Sequence, residues 1–467
     1  MPTSPTTTSE RPARPARLRG AEEPELLTPP FSGLRYPALL APSAALSCGF
    51  VSIPPSASGH LPFTFGMQCP IMKSRAGLDV EDLDYQRSSQ PAQQHSARSL
   101  LWRLVLLCAS IRILLEAIGL VSLKFHGQPV WTNALNLWNQ WDAPHYLRLA
   151  EVGYVQLPHP PNTEDPFFIV FFPFFPLAVH IISIAVQNLV LSALIVSFSA
   201  SVGAGYFLFR MVALDADEAA AWRAVLLLFS FPTAYFLAAP YSEALCLVAV
   251  LASVYGARTG AWARAGVAGA LATGTRVTSI ALAPALLAEA FNRKDGRSGV
   301  RGQVHKLACI SFSAAGLLTY LAINQVVYGD PMWFLKVQRV HWMQHIVPPW
   351  QPVQEAITSL LAGANDFTFT FIYVGRVAGV LVALPGLLIA VRRLRLPDVL
   401  YGWTSFILIL STSWLIALPR YLLVLYPLFV VGARLSRSPR VLIPLVFAGV
   451  ALQGWLMWRY SVGYWTF

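Results

Sequence analysis

The sequence predicts an all-α protein threaded repeatedly through a membrane, with about 10–12 membrane segments and partly helical outer loops. Three observations point there. Of 467 residues, 55% are hydrophobic and only 12% charged, half the roughly 25% of a soluble domain. Apolar windows approaching the roughly 20 residues that a spanning helix needs recur along the chain. The net charge of +11 falls in short arginine blocks between those windows, such as "RKDGRSGVRGQVHK", "RRLR" and "RLSRSPR". That is the bias of cytoplasmic membrane loops, so no nucleic-acid partner is expected.

Residues 1–98 differ from the rest, holding 14 of the 35 prolines with much Ser and Thr and no helical periodicity. This composition predicts a disordered tail. The tail is expected to be dispensable or a mis-called start, with Met67 or Met72 the true initiator; a regulatory tail is the alternative. The membrane domain is 99–467. Its apolar segments lie near 100–121, 167–187, 190–210, 222–239, 241–257, 262–290, 306–327, 368–391, 399–417, 420–433 and 441–458. Two long connections, 124–166 and 329–366, carry prolines and aromatics without dense Arg and Lys. On the positive-inside rule they face away from the cytoplasm.

Tracking sides from a cytoplasmic N-terminus leaves one crossing too many. Two segments are candidates for failing to cross. Pro173 and Pro176 remove backbone donors early in 167–187, which predicts a segment lying partly in the interface. In "GTRVTS", Gly274, Arg276 and Thr278 predict a break of 262–290 into two short helices. Such breaks are tolerated where they line a cavity.

Among the five cysteines, Cys108, Cys246 and Cys309 lie in apolar runs, and Cys48 and Cys69 in the tail. Their spacing matches neither a metal site nor a disulfide framework. The chain also lacks a P-loop and a GxGxxG fingerprint. Asp215 and Asp217 in "LDADEA" have the spacing of a metal-holding pair in nucleotide-sugar transferases. They stand immediately before a helix, however, where acidic residues are ordinary. No metal or cofactor is expected.

The chemistry-bearing residues concentrate in a few places. "WNQWDAPHYLRLAEVGY", 138–154, gathers Asp142, His145, Arg148 and Glu151 with two tryptophans and two tyrosines. A helix there would put Asp142 and His145 on one face, with Trp138 and Trp141 anchoring the segment among headgroups. The plain alternative is that Asp142 is an N-cap. Arg276 sits inside an apolar run, and a charge at membrane depth costs several kcal/mol unless paired, so it marks function by default. A phosphate is the natural partner for its guanidinium; a salt bridge to Glu243 is the alternative.

"AAPYSEA" offers Tyr241 and Glu243, the latter placed to favour a helix N-terminus or to serve the site. Arg420 in "ALPRYLLVLYP" either snorkels or holds a lipid phosphate. "KVQRVHW" brings Arg339, His341 and Trp342 into the second outer connection. Arg112 and Glu116, one turn apart, read as an internal ion pair without a role in chemistry. Arg greatly outnumbers Lys and Ala is abundant, which favours a bacterial source and its plasma membrane. A eukaryotic chain would sit in the ER membrane.

The stretches "WDAPHYLRLAEVGY", "FFPFFPL", "FPTAYFLAAPYSEALCL", "TRVTS" and "PRYLLVLYPLF" occur in the order of the PIG-V family. Over roughly 100–435 the chain resembles this family, GPI mannosyltransferase II with its prokaryotic relatives, in the GT-C glycosyltransferase superfamily. The resemblance implies a GT-C-like membrane enzyme that transfers a sugar, typically mannose, from a polyprenyl-phosphate donor. The acceptor is a glycolipid, glycan or protein on the extracytoplasmic or lumenal face, and transfer is inverting and without a metal. By position, Asp142 matches the catalytic base. Arg276, with Arg420, is expected at the phosphate, and His145, Tyr241, Glu243, Arg339 and His341 around the substrate. The rival class is a transporter or flippase of a lipid-linked or anionic substrate, which would also use intramembrane arginine and broken helices. The two halves show no repeat that would favour it.

Overall fold

The computed structural model describes residues 97–130, 134–154, 167–292, 299–363 and 366–467. The proline-rich tail lies outside the described residues except for its last two, which open the first helix. Each of the eleven apolar segments contains an α-helix. In chain order the helices are α1 (Ala97–Phe125), α2 (Ala143–Val152), α3 (Phe174–Val186), α4 (Leu189–Val212), α5 (Glu218–Phe229), α6 (Glu243–Arg258) and α7 (Trp262–Thr273). They continue as α8 (Leu282–Ala290), α9 (Val300–Phe312), α10 (Ala315–Tyr328), α11 (Trp333–His341), α12 (Gln351–Leu361) and α13 (Phe367–Arg393). The last four are α14 (Leu396–Leu410), α15 (Leu418–Tyr421), α16 (Tyr426–Leu435) and α17 (Pro439–Tyr460). Extended pairing among the described residues is limited to one isolated bridge, Ile346 to Thr412. The protein is an all-α, multi-pass integral membrane protein.

Five stretches are long and apolar enough to cross a bilayer: α1, α4, α9 with α10, α13 and α17. A sixth forms if α15 through α16, bent by 81°, counts as one span. The remaining apolar helices stop short. α5 and α7 have 12 residues and α6 has 16, about 18–24 Å at 1.5 Å per residue, against a hydrocarbon core near 30 Å. Helix ends are tolerated at membrane depth only where protein or a polar cavity satisfies the freed backbone groups. Here the start of α6 at Glu243 and the chain just after α7 at Thr275 reach such a cavity.

Both irregular segments are broken. The run 262–290 divides at Gly274: Arg276 is extended (φ −153°, ψ 140°) and a 3-10 turn, Val277–Ala281, precedes α8. The cause is close packing. The Phe174 N–H, an orphan donor at the start of α3, bonds the Gly274 carbonyl at 3.1 Å. A Cβ on Gly274 would lie 2.4 Å from the Phe174 ring. Segment 167–187 begins as a 3-10 turn and becomes helical only after Pro173, leaving a 13-residue helix with Pro176 in its first turn.

One end of the bundle is tied by arginines. Arg258 pairs with Asp215 at 2.6 Å and Arg395 with Glu289 at 2.8 Å. Arg223 donates to the Ala433 carbonyl at 3.0 Å, and Arg434 donates to that of Arg393. Helix α6 runs from this end, at Arg258, to the cavity at Glu243.

Candidate active site

The stretch 138–154 does not form one helix. A 3-10 turn, Asn136–Trp138, is followed by Trp141 in a left-handed conformation (φ 58°), and only then does α2 begin. Trp138, expected among headgroups, is packed inside the protein instead. Trp138 is fully buried and donates its indole N–H to Glu116 at 2.6 Å, with the Arg112 guanidinium 3.9 Å over its ring. A buried indole needs an acceptor, and the first helix supplies it. Trp141 is partly buried and meets Trp465 edge-on at 4.9 Å. The Arg112–Glu116 pair, 3.8 Å apart, thus fixes the base of the loop, and Arg112 also donates to the Ala238 carbonyl.

Asp142 stands at the N-cap position of α2, yet its side chain makes no capping bond. The carboxylate turns instead to Arg420, Oδ2 to NH1 at 3.0 Å. Arg420 lies on the short α15 and reaches a second carboxylate, with Nε 3.2 Å from Glu243 Oε1. Arg276 meets the same Glu243 oxygen at 2.7 Å and the Ser242 hydroxyl at 3.1 Å. Four charges, separated by up to 278 residues in sequence, therefore form one chain: Asp142, Arg420, Glu243, Arg276. Rings of Phe236, Tyr241 and Tyr421 lie 5.2–5.3 Å from the Arg420 guanidinium, where their faces add cation–π attraction.

The cluster is buried but not closed. Side-chain exposure is 1% for Glu243, 8% for Arg420, 17% for Arg276 and 27% for Asp142. All four line a cavity of about 270 Å³. Asp142 Oδ1 accepts no hydrogen bond among the described residues, and Glu243 Oε2 is buried without one. Two carboxylates and two guanidiniums balance in charge, which is what makes such burial tolerable. The salt bridge offered as the alternative for Arg276 is therefore present, and it opens onto the cavity.

The other sequence-predicted residues are placed as follows. Tyr241 is buried outside the cavity, accepting the Asp142 N–H at 3.2 Å and donating to the Gln140 carbonyl at 2.8 Å. It brackets the left-handed Trp141. His145 is half-buried, stacked on Phe171 at 5.4 Å and edge-on to Phe168 at 5.6 Å, and does not line the cavity. Neither do Arg339, which is exposed, and His341. The amphipathic α11 turns them away, and Gln338 and Trp342 line the cavity instead. Tyr146, whose hydroxyl lies 2.9 Å from that of Ser242, Thr275, Thr278 and Tyr421 also contribute. Ser242 and Tyr421 adjoin Glu243 and Arg420 in sequence, which was the available signal.

Arg376 escaped the sequence reading. It is the one charge in α13 before the arginines of its last turn, 1% exposed, bonding the carbonyls of Leu415 and Pro352 and pairing with Glu355 at 3.2 Å. It pins the chain five residues before Arg420. Asp217 caps α5 by accepting the Ala220 N–H at 2.7 Å, and Asp215 is taken by Arg258, so this pair serves the helix start.

Residues 97–294 match the mannosyltransferase (PIG-V) family. The matched PIG-V segment contains Asp142, Glu243 and Arg276, and ends before Arg420. Similar solved structures include the Archaeoglobus fulgidus oligosaccharyltransferase in its apo form, with TM-score 0.46 and 14% identity over 80% of this chain and 57% of that one. The same enzyme tethered to an acceptor peptide containing the NVT sequon gives TM-score 0.40 and 14% identity, over 77% and 55%. The chain thus spans little more than half the length of that enzyme. No curated protein matches it.

Proposed function

We propose that the protein is an inverting mannosyltransferase that takes its sugar from a polyprenyl-phosphate donor. It transfers the sugar to a hydroxyl of a glycolipid, glycan or protein acceptor on the extracytoplasmic or lumenal face. The observation that carries this reading is the chain of alternating charges, with one carboxylate oxygen free and two arginines facing the same small cavity. A cavity near 270 Å³ is at the small end for ligand sites. It suits a sugar-phosphate head whose lipid tail stays in the bilayer. Charge supports this face: the arginine-tied end of the bundle suits the cytoplasmic side, and α6 runs from that end to the cavity at Glu243.

In this reading the acceptor hydroxyl gives its proton to Asp142 Oδ1 as its oxygen bonds the anomeric carbon from the side opposite the phosphate. The bond from that carbon to the phosphate oxygen breaks, and its electron pair leaves with the polyprenyl phosphate. The phosphate passes from one negative charge to two as Asp142 loses its own. Arg276 meets the growing charge, and Arg420, whose partner Asp142 is being neutralised, is released to do the same. Stabilisation that strengthens only as charge develops accelerates the chemical step.

The test is Asp142→Asn, assayed for lipid-phosphate release with polyprenyl-phosphate-mannose and an acceptor panel. Turnover should fall by roughly 10²–10⁴-fold, the usual worth of a positioned base, with donor binding retained. Asn caps helices about as well as Asp, so a nearly active Asp142→Asn enzyme would return Asp142 to a structural role.

A further inference from the structure

The cavity has two unlike walls. Asp142, Glu243, Arg276 and Arg420 form the charged one. Opposite in character stand Gln338, Trp342 and Gln344 from the second outer connection, joined by Thr412. Helix α11 carries Lys336, Arg339 and His341 within two turns, yet none of these lines the cavity. Lys336 pairs with Asp330 at 2.8 Å, and Arg339 is exposed. The helix brings its neutral residues to the site.

This wall is held in place at some cost. Trp342 ends α11 and is followed by Met343 at φ 51°, a left-handed conformation that a non-glycine side chain disfavours by about 1–2 kcal/mol. The chain beyond is bonded to the segment after α14 to keep it there. His345 N–H donates to Ser413 Oγ at 2.9 Å, Ser413 N–H to the His345 carbonyl at 3.0 Å, and Val347 N–H to that of Ser411 at 3.0 Å. Gln344 spends one amide N–H on the Trp414 carbonyl at 3.3 Å, which leaves its second N–H and its oxygen. The Gln338 amide has no side-chain partner among the described residues. The half-buried Trp342 lies edge-on to Phe171 at 6.3 Å.

We propose that Gln338, Trp342 and Gln344 form the subsite for the hexose ring of the donor; this rests on the cavity taking a polyprenyl-phosphate sugar. Sugar hydroxyls are neutral groups that both donate and accept, and so does a carboxamide. The C–H face of a pyranose is apolar and suits an indole. A donor whose sugar is joined directly to its phosphate needs a neutral wall and a cationic wall in one small cavity.

The experiment compares two ligands on the full-length protein in nanodiscs: polyprenyl-phosphate-mannose, and polyprenyl phosphate without sugar. Gln338→Ala and Trp342→Ala should each weaken the sugar-bearing ligand by about two- to tenfold, the worth of one or two neutral contacts. Binding of the bare phosphate should stay within twofold, which also shows that the variants fold. Equal weakening of both ligands, or of neither, overturns the subsite. Arg276→Ala should weaken both ligands. If it weakens neither, the phosphate reading fails, while the Gln338 and Trp342 comparison still decides whether the sugar is held here.

Discussion

Glu243 carries more of the site than its place at a helix start suggests. One of its oxygens holds Arg276 at 2.7 Å and Arg420 at 3.2 Å, at 1% exposure. Glu243→Gln would leave two buried guanidiniums facing a neutral amide. Breaking a buried pair costs about 3–5 kcal/mol, so detergent-solubilised Glu243→Gln protein should melt several degrees below the parent. Arg276→Ala acts differently. It should weaken donor binding by on the order of 2–5 kcal/mol, with Arg276→Lys rescuing only part, since a point charge lacks the bidentate fork. Arg112→Ala, by contrast, removes the cation over Trp138 and the bond to Ala238. Its effect should appear in thermal stability and not in donor affinity. Titration against each ligand, with melting curves for each variant, separates these outcomes.

At the scale of elements, short helices are what bring charge to membrane depth. α7 ends at Gly274 because α3 packs its first turn against that glycine, and Arg276 emerges at the resulting break. The same helix accepts α10 at backbone contact. A Cβ on Gly316 would lie 1.9 Å from the Ala270 carbonyl oxygen and 2.4 Å from the Gly274 N. Replacing glycine by alanine inside a helix ordinarily stabilises by roughly 0.5–1 kcal/mol. Here the sign should reverse. Gly316→Ala must push α10 away from α7 at the residues that precede Arg276, lowering both melting temperature and turnover. A Gly316→Ala protein at least as stable as the parent would mean that the two helices are not packed this closely.

For the whole molecule, orientation decides which compartment the cavity serves. Arg339 is exposed at the cavity end, and Arg437 is exposed between α16 and α17 at the arginine-tied end. In cells, Arg339→Cys should react with a membrane-impermeant maleimide added outside. Arg437→Cys should react only after permeabilisation. The reverse labelling would put the site in the cytoplasm and exclude an extracytoplasmic acceptor.

Membrane class, helical content and the position of nearly every apolar segment were legible in the sequence, because bilayer insertion depends on local composition over about 20 residues. Asp142, Glu243, Arg276 and Arg420 stood out for the same local reason: a charge in an apolar setting is expensive and needs an explanation. What the tertiary structure decided is which charges meet. Asp142 leaves its cap position for a partner 278 residues away. Arg339 and His341, as conspicuous in sequence as Arg420, face away, and the unremarkable Gln338 lines the cavity. Tyr241 became a support for the loop and Trp138 a buried strut. Arg376, hidden in an apolar run, pins the chain that carries Arg420. Pairing over such separations depends on how short helices stop and where their ends converge, and no window of sequence contains that information.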